Sequence, residues 1–292
     1  MFAFNFNKIA MPIFYEKVAL NTFLKSVKNQ NTTIGFVPTM GALHQGHLSL
    51  MQQSLKENNH TVVSIFVNPT QFNNSDDLTK YPRTLSQDVE KIQQLHSDII
   101  IYAPSTEDIY EGHVHAEKFD FDGLENQMEG KFRPGHFDGV GTIVKRLFEI
   151  ITPDKAYFGE KDFQQLQIVK KMTQKNNLPV SIVACPIFRE PNGLAMSSRN
   201  ERLTPQQRQE ASLIHQTLLQ AKERFKNKSL MEAKEWVTAV FATHPTFELE
   251  YFEIADEETL TPCITPLKDK NYRAFIAVFV NNIRLIDTIS LK

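Results

Sequence analysis

Along the first half of the chain, short runs that are apolar on both faces alternate with stretches of helical period. Thr33 to Val37 (TIGFV) ends at Pro38, Val62 to Val67 (VVSIFV) ends at Asn68-Pro69, and Ile99 to Tyr102 ends at Ala103-Pro104. Leu48 to Lys56 and Leu85 to Leu95 lie between them and carry apolar residues at helical spacing. Strand, helix, strand at this interval predicts a parallel sheet with crossover helices. The lack of a polar face predicts strands covered on both sides. Farther on, Gly139 to Ile151 sets Val140, Ile143, Val144, Leu147 and Phe148 on one helical stripe. Ala156 to Phe158 reads as a strand, Phe163 to Lys175 as its helix, and Val180 to Ala184 as the next strand.

After Asn200 the pattern changes. Thr204 as N-cap and Pro205 at the first helical position open a long helix. A second helix near Ser229 to Phe241 presents Ala233, Trp236, Val237 and Val240 on one face. Glu248 to Ile254, Arg273 to Val280 and Ile283 to Ile289 then read as strands, with Asn281-Asn282 forming a tight hairpin between the last two. The expectation is an α/β chain of two domains. Residues 1–186 form a parallel-sheet domain, and residues 187–292 form a smaller α+β domain with an antiparallel sheet.

Composition narrows the class. A length of 292 residues suits two domains at roughly 150 residues each. With 41% hydrophobic and 23% charged residues, the chain is neither disordered, collagen-like nor a disulfide scaffold. Lys plus Arg number 32 against 34 for Asp plus Glu, so no global field draws the chain to nucleic acid. Two cysteines, Cys185 and Cys263, make no disulfide framework and favour a reducing compartment. Apolar runs such as Ala274 to Val280 fall far short of the roughly 20 residues that cross a bilayer. Residues Met1 to Ala10 are aromatic but interrupted by Asn5, Asn7 and Lys8, with no continuous apolar stretch, so they do not read as a secretory signal. A cytoplasmic protein is expected.

Four stretches can carry chemistry. Val37 to Leu48 (VPTMGALHQGHL) joins a strand to a helix, with Gly41 and Gly46 permitting tight backbone turns and His44 and His47 three residues apart. Amides at a helix start favour an anion, and each imidazole can donate a hydrogen bond or carry charge. The same residues also suit an ordinary loop with two surface histidines; a zinc pair lacks a third ligand nearby. Gly159 to Gln165 (GEKDFQQ) offers Lys161 for a phosphate, Asp162 for Mg²⁺ directly or through water, and Gln165 for a carboxylate or hydroxyl, or else is a solvated charged loop. Leu194 to Asn200 (LAMSSRN) sets two hydroxyls before Arg199, which suits phosphate capture or a plain linker. Asn68 to Phe72 (NPTQF) puts Asn68 and Gln71 at a strand's carboxyl end, to read a small ligand or to satisfy a turn. Three of these stretches leave the carboxyl ends of parallel strands and the fourth follows the last strand, so all four are expected to share one crevice.

The segments PTMGALHQGHLSL, SIFVNPTQF, YPRTL, EGKFRPGHFDGV, YFGEKDFQQL and REPNGLAMSSRN together resemble the pantoate–β-alanine ligase family over nearly the whole chain. The HxGH element alone marks a broad nucleotidyltransferase superfamily; its combination with GEKDFQQL and GLAMSSRN is specific. The resemblance implies a Rossmann-like N-terminal domain, a smaller C-terminal domain and a homodimer, with the family's usual start near Met11, so that Met1 to Ala10 would be a disordered leader or an alternative start. It implies ATP-dependent condensation of pantoate with β-alanine through pantoyl adenylate, with Mg²⁺, releasing AMP and pyrophosphate. It assigns ATP to Pro38, Met40, Gly41, His44, Gly46 and His47, to Gly159, Lys161 and Asp162, and to Phe188, Met196, Ser197, Ser198 and Arg199. His47, His44, Lys161 and Arg199 would be catalytic, with His47 the general acid. Gln71, Gln165 and Asn68 would bind pantoate or β-alanine, and Asp162 would hold Mg²⁺. Two departures stand out: Gln45 where Glu is frequent, and Phe188 where Val is common. The polar segment Asn73 to Lys80 is expected to be a flexible gate. A different HxGH nucleotidyltransferase, or a silent nucleotide-binding protein, are the competing readings; the latter is disfavoured by the presence of Lys161, Gln71 and Gln165.

Overall fold

The structure is a computed structural model that describes residues 11–73 and 75–292. The expected leader, residues 1–10, lies outside the described residues. The first sheet contains β1 (Ile13–Phe14), β2 (Ile34–Thr39), β3 (His60–Ile65), β4 (Ile100–Tyr102), β5 (Lys155–Gly159) and β6 (Ser181–Cys185). All pairings are parallel, in the order β1-β4-β3-β2-β5-β6. Around it run α1 (Lys17–Val27), α2 (Gln45–Glu57), α3 (Ser75–Lys80), α4 (Leu85–Leu95), α5 (Thr106–Tyr110), α6 (Met128–Phe132), α7 (His136–Ile151) and α8 (Phe163–Lys175). Successive side chains on a strand point to opposite faces. Phe36 therefore packs with Val62, Phe148 and Ala156 on one side of the sheet, and Val37 with Met51, Val63 and Ile92 on the other.

β1 and α1 are not expected from the sequence. β1 is two residues long, too short for any period; it pairs with β4, and Phe14 packs on Phe23 of α1. α1 has Glu16 at its N-cap with no side-chain cap bond. Its cap comes from far along the chain, where the Asp108 carboxylate accepts from Lys17 N at 2.9 and 3.1 Å. The expected strand through Val67 ends at Ile65. Much of the expected gate, Asn73 to Lys80, is the helix α3.

The second sheet is antiparallel, with β7 (Phe247–Asp256), β8 (Tyr272–Val280) and β9 (Ile283–Ser290) in that order. Thr204 and Gln207 form a reciprocal capping box at the start of α9 (Pro205–Glu210), as the Thr-Pro signal predicts. The expected single long helix instead breaks at Ala211 and resumes as α10 (Ser212–Asn227), followed by α11 (Leu230–Ala242). Ala274, Ile276 and Val278 of β8 pack with Leu218 and Val237 of these helices. Phe275, between them in sequence, faces the other way and joins the core that contains Phe163 of α8. The small sheet thus seals its own core with one face and leans on the parallel-sheet layer with the other.

Candidate active site

In the large sheet β2 lies between β3 and β5, so the chain leaves this point in opposite directions. The crevice this creates at the strands' carboxyl ends is the usual place for a ligand in such sheets, and a cavity of about 320 Å³ opens there. Its wall takes Pro38, Met40, His44, Gly46 and His47 from the first stretch, and Asn68 and Gln71 from the second. Gly159, Lys161, Asp162 and Gln165 come from the third, and Phe188, Met196, Ser197, Ser198 and Arg199 from the loop after β6. Gly41 is the exception. It lies at φ +83° beside Asp88, away from the wall, and its part is to bend the chain rather than to meet a ligand.

The HxGH turn is built by its own imidazoles. His44 Nδ1 accepts from Gly46 N at 3.1 Å, and His47 Nδ1 accepts from His44 N at 3.3 Å. The two histidines form a capping box in which imidazole replaces the customary hydroxyl and carboxylate. A Cβ at Gly46 would lie 2.9 Å from Cε1 and Nδ1 of His44, so only glycine lets that ring fold back over the helix start. Of the opening amides of α2, Gly46 N is thus engaged by the His44 ring, and His47 N and Leu48 N donate to His44 O at 2.9 and 3.1 Å. With both Nδ1 atoms accepting, each neutral ring carries its proton on Nε2. The rings lie 4.0 Å apart between centroids. Burial and the nearby Lys161 ammonium bring His44 down to about 4. Burial, with His44 and Lys161 adding, holds His47 well below its ordinary value. Of the two roles expected of these imidazoles, the free protein therefore sets them up as neutral hydrogen-bond donors.

Gln71 is fixed from two directions. Asn68 Nδ2 donates to Gly139 O and to Gln71 Oε1, each at 3.1 Å, while Asn68 Oδ1 accepts from Tyr110 OH at 2.5 Å and from Thr70 N at 3.4 Å. The backbone partners leave no ambiguity in either amide, and Gln71 Nε2 is left facing Met40 Sδ and the cavity. Asn68, expected to touch substrate, is instead fully engaged in orienting Gln71. A Cβ at Gly139 would sit 2.4 Å from Thr70 O, so α7 packs directly on this backbone. His136 Nδ1 meets Gln71 O at 2.8 Å and its Nε2 meets Arg133 Nη1 at 3.3 Å. Burial, with Arg133 adding, lowers His136 to about 4.

The GEKD turn is held differently. Lys161 Nζ pairs with Asp162 at 3.2 Å, and both face the cavity. Glu160 between Gly159 and Lys161 turns away to Arg273 of β8 at 3.1 Å. Arg273 is buried, also pairs with Glu257 at 3.1 Å, and lies 4.0 Å over the Phe163 ring. Of the two adjacent glutamines, Gln164 is structural, donating to Leu124 O and Gln127 O at 2.8 Å and accepting from Glu129 N at 2.9 Å. Gln165, half-buried, is the one free to meet a ligand. In the loop after β6, Ser197 caps the 3₁₀ turn that carries Arg199, and Glu190 anchors Asn200 at 2.7 Å. The Phe188 carbonyl accepts from Met196 N at 3.0 Å, tying the two halves of that loop.

One sector of the wall escaped the sequence reading. Glu129 of α6 receives two bonds from Arg284 of β9, at 2.7 and 2.8 Å, and one from Tyr251 OH at 2.8 Å. Burial acts to raise the Glu129 carboxyl, but the Arg284 bonds and charge outweigh it and hold it below the ordinary range. Glu129 and His136 belong to the EGKFRPGHF segment, whose clustered polar residues before an apolar helix were the available signal. Arg284 and Tyr251 had none, because each lies singly on a strand about 120 residues or more away.

The profile of the family described as Pantoate-beta-alanine ligase matches residues 12–290. A pantothenate synthetase of Flavobacterium psychrophilum is 64% identical over 282 residues, covering 97% of this chain and 100% of that protein. The crystal structure of pantothenate synthetase from Thermus thermophilus aligns with a TM-score of 0.87 at 36% identity, covering 96% of this chain and 99% of that one. A pantoate-beta-alanine ligase from Francisella tularensis, complexed with beta-gamma ATP and beta-alanine, aligns with a TM-score of 0.78 at 34% identity over 97% and 98%.

Proposed function

The chain belongs to the pantoate–β-alanine ligase family, and from that membership we propose how its cavity works. The enzyme joins pantoate to β-alanine to give pantothenate, with ATP as co-substrate. A carboxylate acylates poorly because its oxygen is a poor leaving group. In the first step a pantoate carboxylate oxygen bonds to the α-phosphorus and the bond to pyrophosphate breaks. In the second, the neutral β-alanine amine bonds to the acyl carbon, the acyl bond to AMP breaks, and the nitrogen releases a proton. The barrier to the first step is charge on the phosphate oxygens and on departing pyrophosphate. Lys161, Arg199 and the Nε2–H groups of His44 and His47 are the donors that meet it. A polyanion against two neutral imidazoles favours their protonated forms, so His47 gains a proton as ATP binds and returns it to the leaving pyrophosphate. Gln71 and Gln165 hold pantoate by hydrogen bonds, Gln71 as donor, and the enclosing wall keeps water from the reactive mixed anhydride.

Among the described residues no group of three or more His, Cys, Asp or Glu is arranged to cage a metal. A lone carboxylate, Asp162, half-exposed at the wall beside Lys161, suits Mg²⁺, which binds through one or two carboxylates plus phosphate oxygens and water. When bound there the ion would supply neutralising charge on the phosphates. Among the described residues no helix is long and apolar enough to cross a membrane. We also propose a cytoplasmic homodimer divided near residue 186, a reading supported by two buried free cysteines and by the family resemblance.

The observation that carries the mechanism is that two imidazoles, an ammonium, a guanidinium and two glutamines from four separate segments share one cavity. AMP release with each substrate omitted in turn tests it. AMP should need pantoate, and amide should need β-alanine as well. AMP formed equally fast without pantoate would overturn the reading.

A further inference from the structure

We propose that Asp88, on α4 and outside the cavity wall, is a positioning residue that sets the ATP-binding turn by gripping the backbone of residues 42 and 43 from behind. This rests on the nucleotide reading of the HxGH turn given above. The Asp88 side chain is fully buried, at 0% exposure. Its Oδ1 accepts from Leu43 N at 2.7 Å, and its Oδ2 accepts from Ala42 N at 3.0 Å and from Thr84 Oγ1 at 3.0 Å. One helical turn on, Lys91 Nζ donates to Leu43 O at 2.6 Å. The peptide groups flanking Leu43 are thus clamped by opposite charges spaced three residues apart on α4, the spacing that puts them on one helix face.

The clamp is placed where the backbone needs it. Gly41 and Ala42 lie at φ +83° and +50°, and Ala42 is a residue that leaves the left-handed region readily. These residues join the end of β2 to His44, whose ring caps α2, and on the other side they follow Met40, whose Sδ lies 3.1 Å from Gln71 Nε2. With Ala42 N and Leu43 N turned toward α4, the turn meets a phosphate chain through the two imidazoles rather than through a cradle of amides. A carboxylate is the acceptor that can hold two adjacent amides at once, and charge makes both bonds strong. Any slackening shifts both imidazoles together, and a misplacement of about 1 Å at a reacting group is worth up to about a hundredfold in rate.

The two half-reactions separate positioning from mere stability. ATP–pyrophosphate exchange in the presence of pantoate reads adenylate formation. Transfer from preformed pantoyl adenylate to β-alanine reads the second step, which no longer needs the pyrophosphate contacts. Asp88→Asn retains the shape but turns a donor toward one of the two amides. It is expected to lower exchange at limiting ATP about tenfold, with the pantoate KM and the transfer step within about twofold of wild type. Lys91→Met, which keeps the stem and leaves the carboxylate in place, is expected to lower exchange about threefold with the same selectivity, and it decides the matter if Asp88→Asn does not fold. Unchanged exchange in a folded variant, or equal loss in both half-reactions, overturns the assignment. Failure of the wild-type enzyme to form pantothenate would instead overturn the functional reading.

Discussion

Two strand-to-helix turns face each other across the cavity, and they are built on opposite principles. The HxGH turn after β2 is closed on itself, with its imidazoles capping its own helix and α4 bracing it from behind. The GEKD turn after β5 is tied outward. Its functional pair, Lys161 and Asp162, bond to each other within the turn, and Glu160 depends on Arg273 from a strand 113 residues away. A group that must hold a fixed orientation is secured both within its own turn and by the helix packed behind it. A flexible ammonium needs only its loop to be tethered, since a point charge on a long stem tolerates angular error that an imidazole does not.

Charge therefore matters most at the second turn and shape at the first. Lys161→Ala should lower kcat/KM for ATP by about 10²–10³, the usual range for a preorganised electrostatic donor, with the melting temperature nearly unchanged; steady-state kinetics and calorimetry on one preparation check both. Gly46→Ala adds a single methyl 2.9 Å from the His44 ring. It should cost about a hundredfold by displacing that ring, and a crystal structure with His44 still capping α2 would refute it. Arg273→Met should lower turnover about tenfold by releasing the GEKD tether. Its stability cost should be about 2–3 kcal/mol, discounted because Glu160 is partly exposed. Urea unfolding measures that cost, and Arg273→Lys should recover only part of it, since lysine lacks the planar fork.

The smallest effect on turnover concerns pH. His136 stays neutral down to about 4 in the folded protein, against an ordinary 6.5. Between those values the unfolded chain binds more protons, so stability rises with pH, is complete above about 6.5 and is lost as pH falls toward 4. At pH 5 the contribution lost from His136 alone is roughly 2 kcal/mol. His136→Asn should reduce, not abolish, the slope of the stability profile between about pH 5 and 6.5; an unaltered slope would mean that the imidazole titrates normally.

The sequence exposed what is local. The turns after β2 and β5 are readable because glycine, histidine and charged residues stand within a few positions of an apolar run, and the periodicity of α4 and α8 is enough to bound both helices. What depends on distant partners stayed hidden. The cap of α1 comes from Asp108, the orientation of Gln71 from Asn68 and Gly139, and the far wall from Arg284. Asn68 misleads for the same reason. A carboxamide at a strand end looks available until the helix that occupies it, α7, is brought in from 71 residues away.

The Arg284–Glu129 bridge has a temporal consequence. As the polypeptide leaves the ribosome, both histidines and Lys161 emerge long before β9, yet Arg284 and Asp287 belong to the wall of the same compartment. A chain ending at Val280 would own the groups that face a triphosphate and lack Arg284 and Asp287 from the wall around it. The closing side of the compartment thus comes from a strand that follows all of the phosphate-facing groups along the chain.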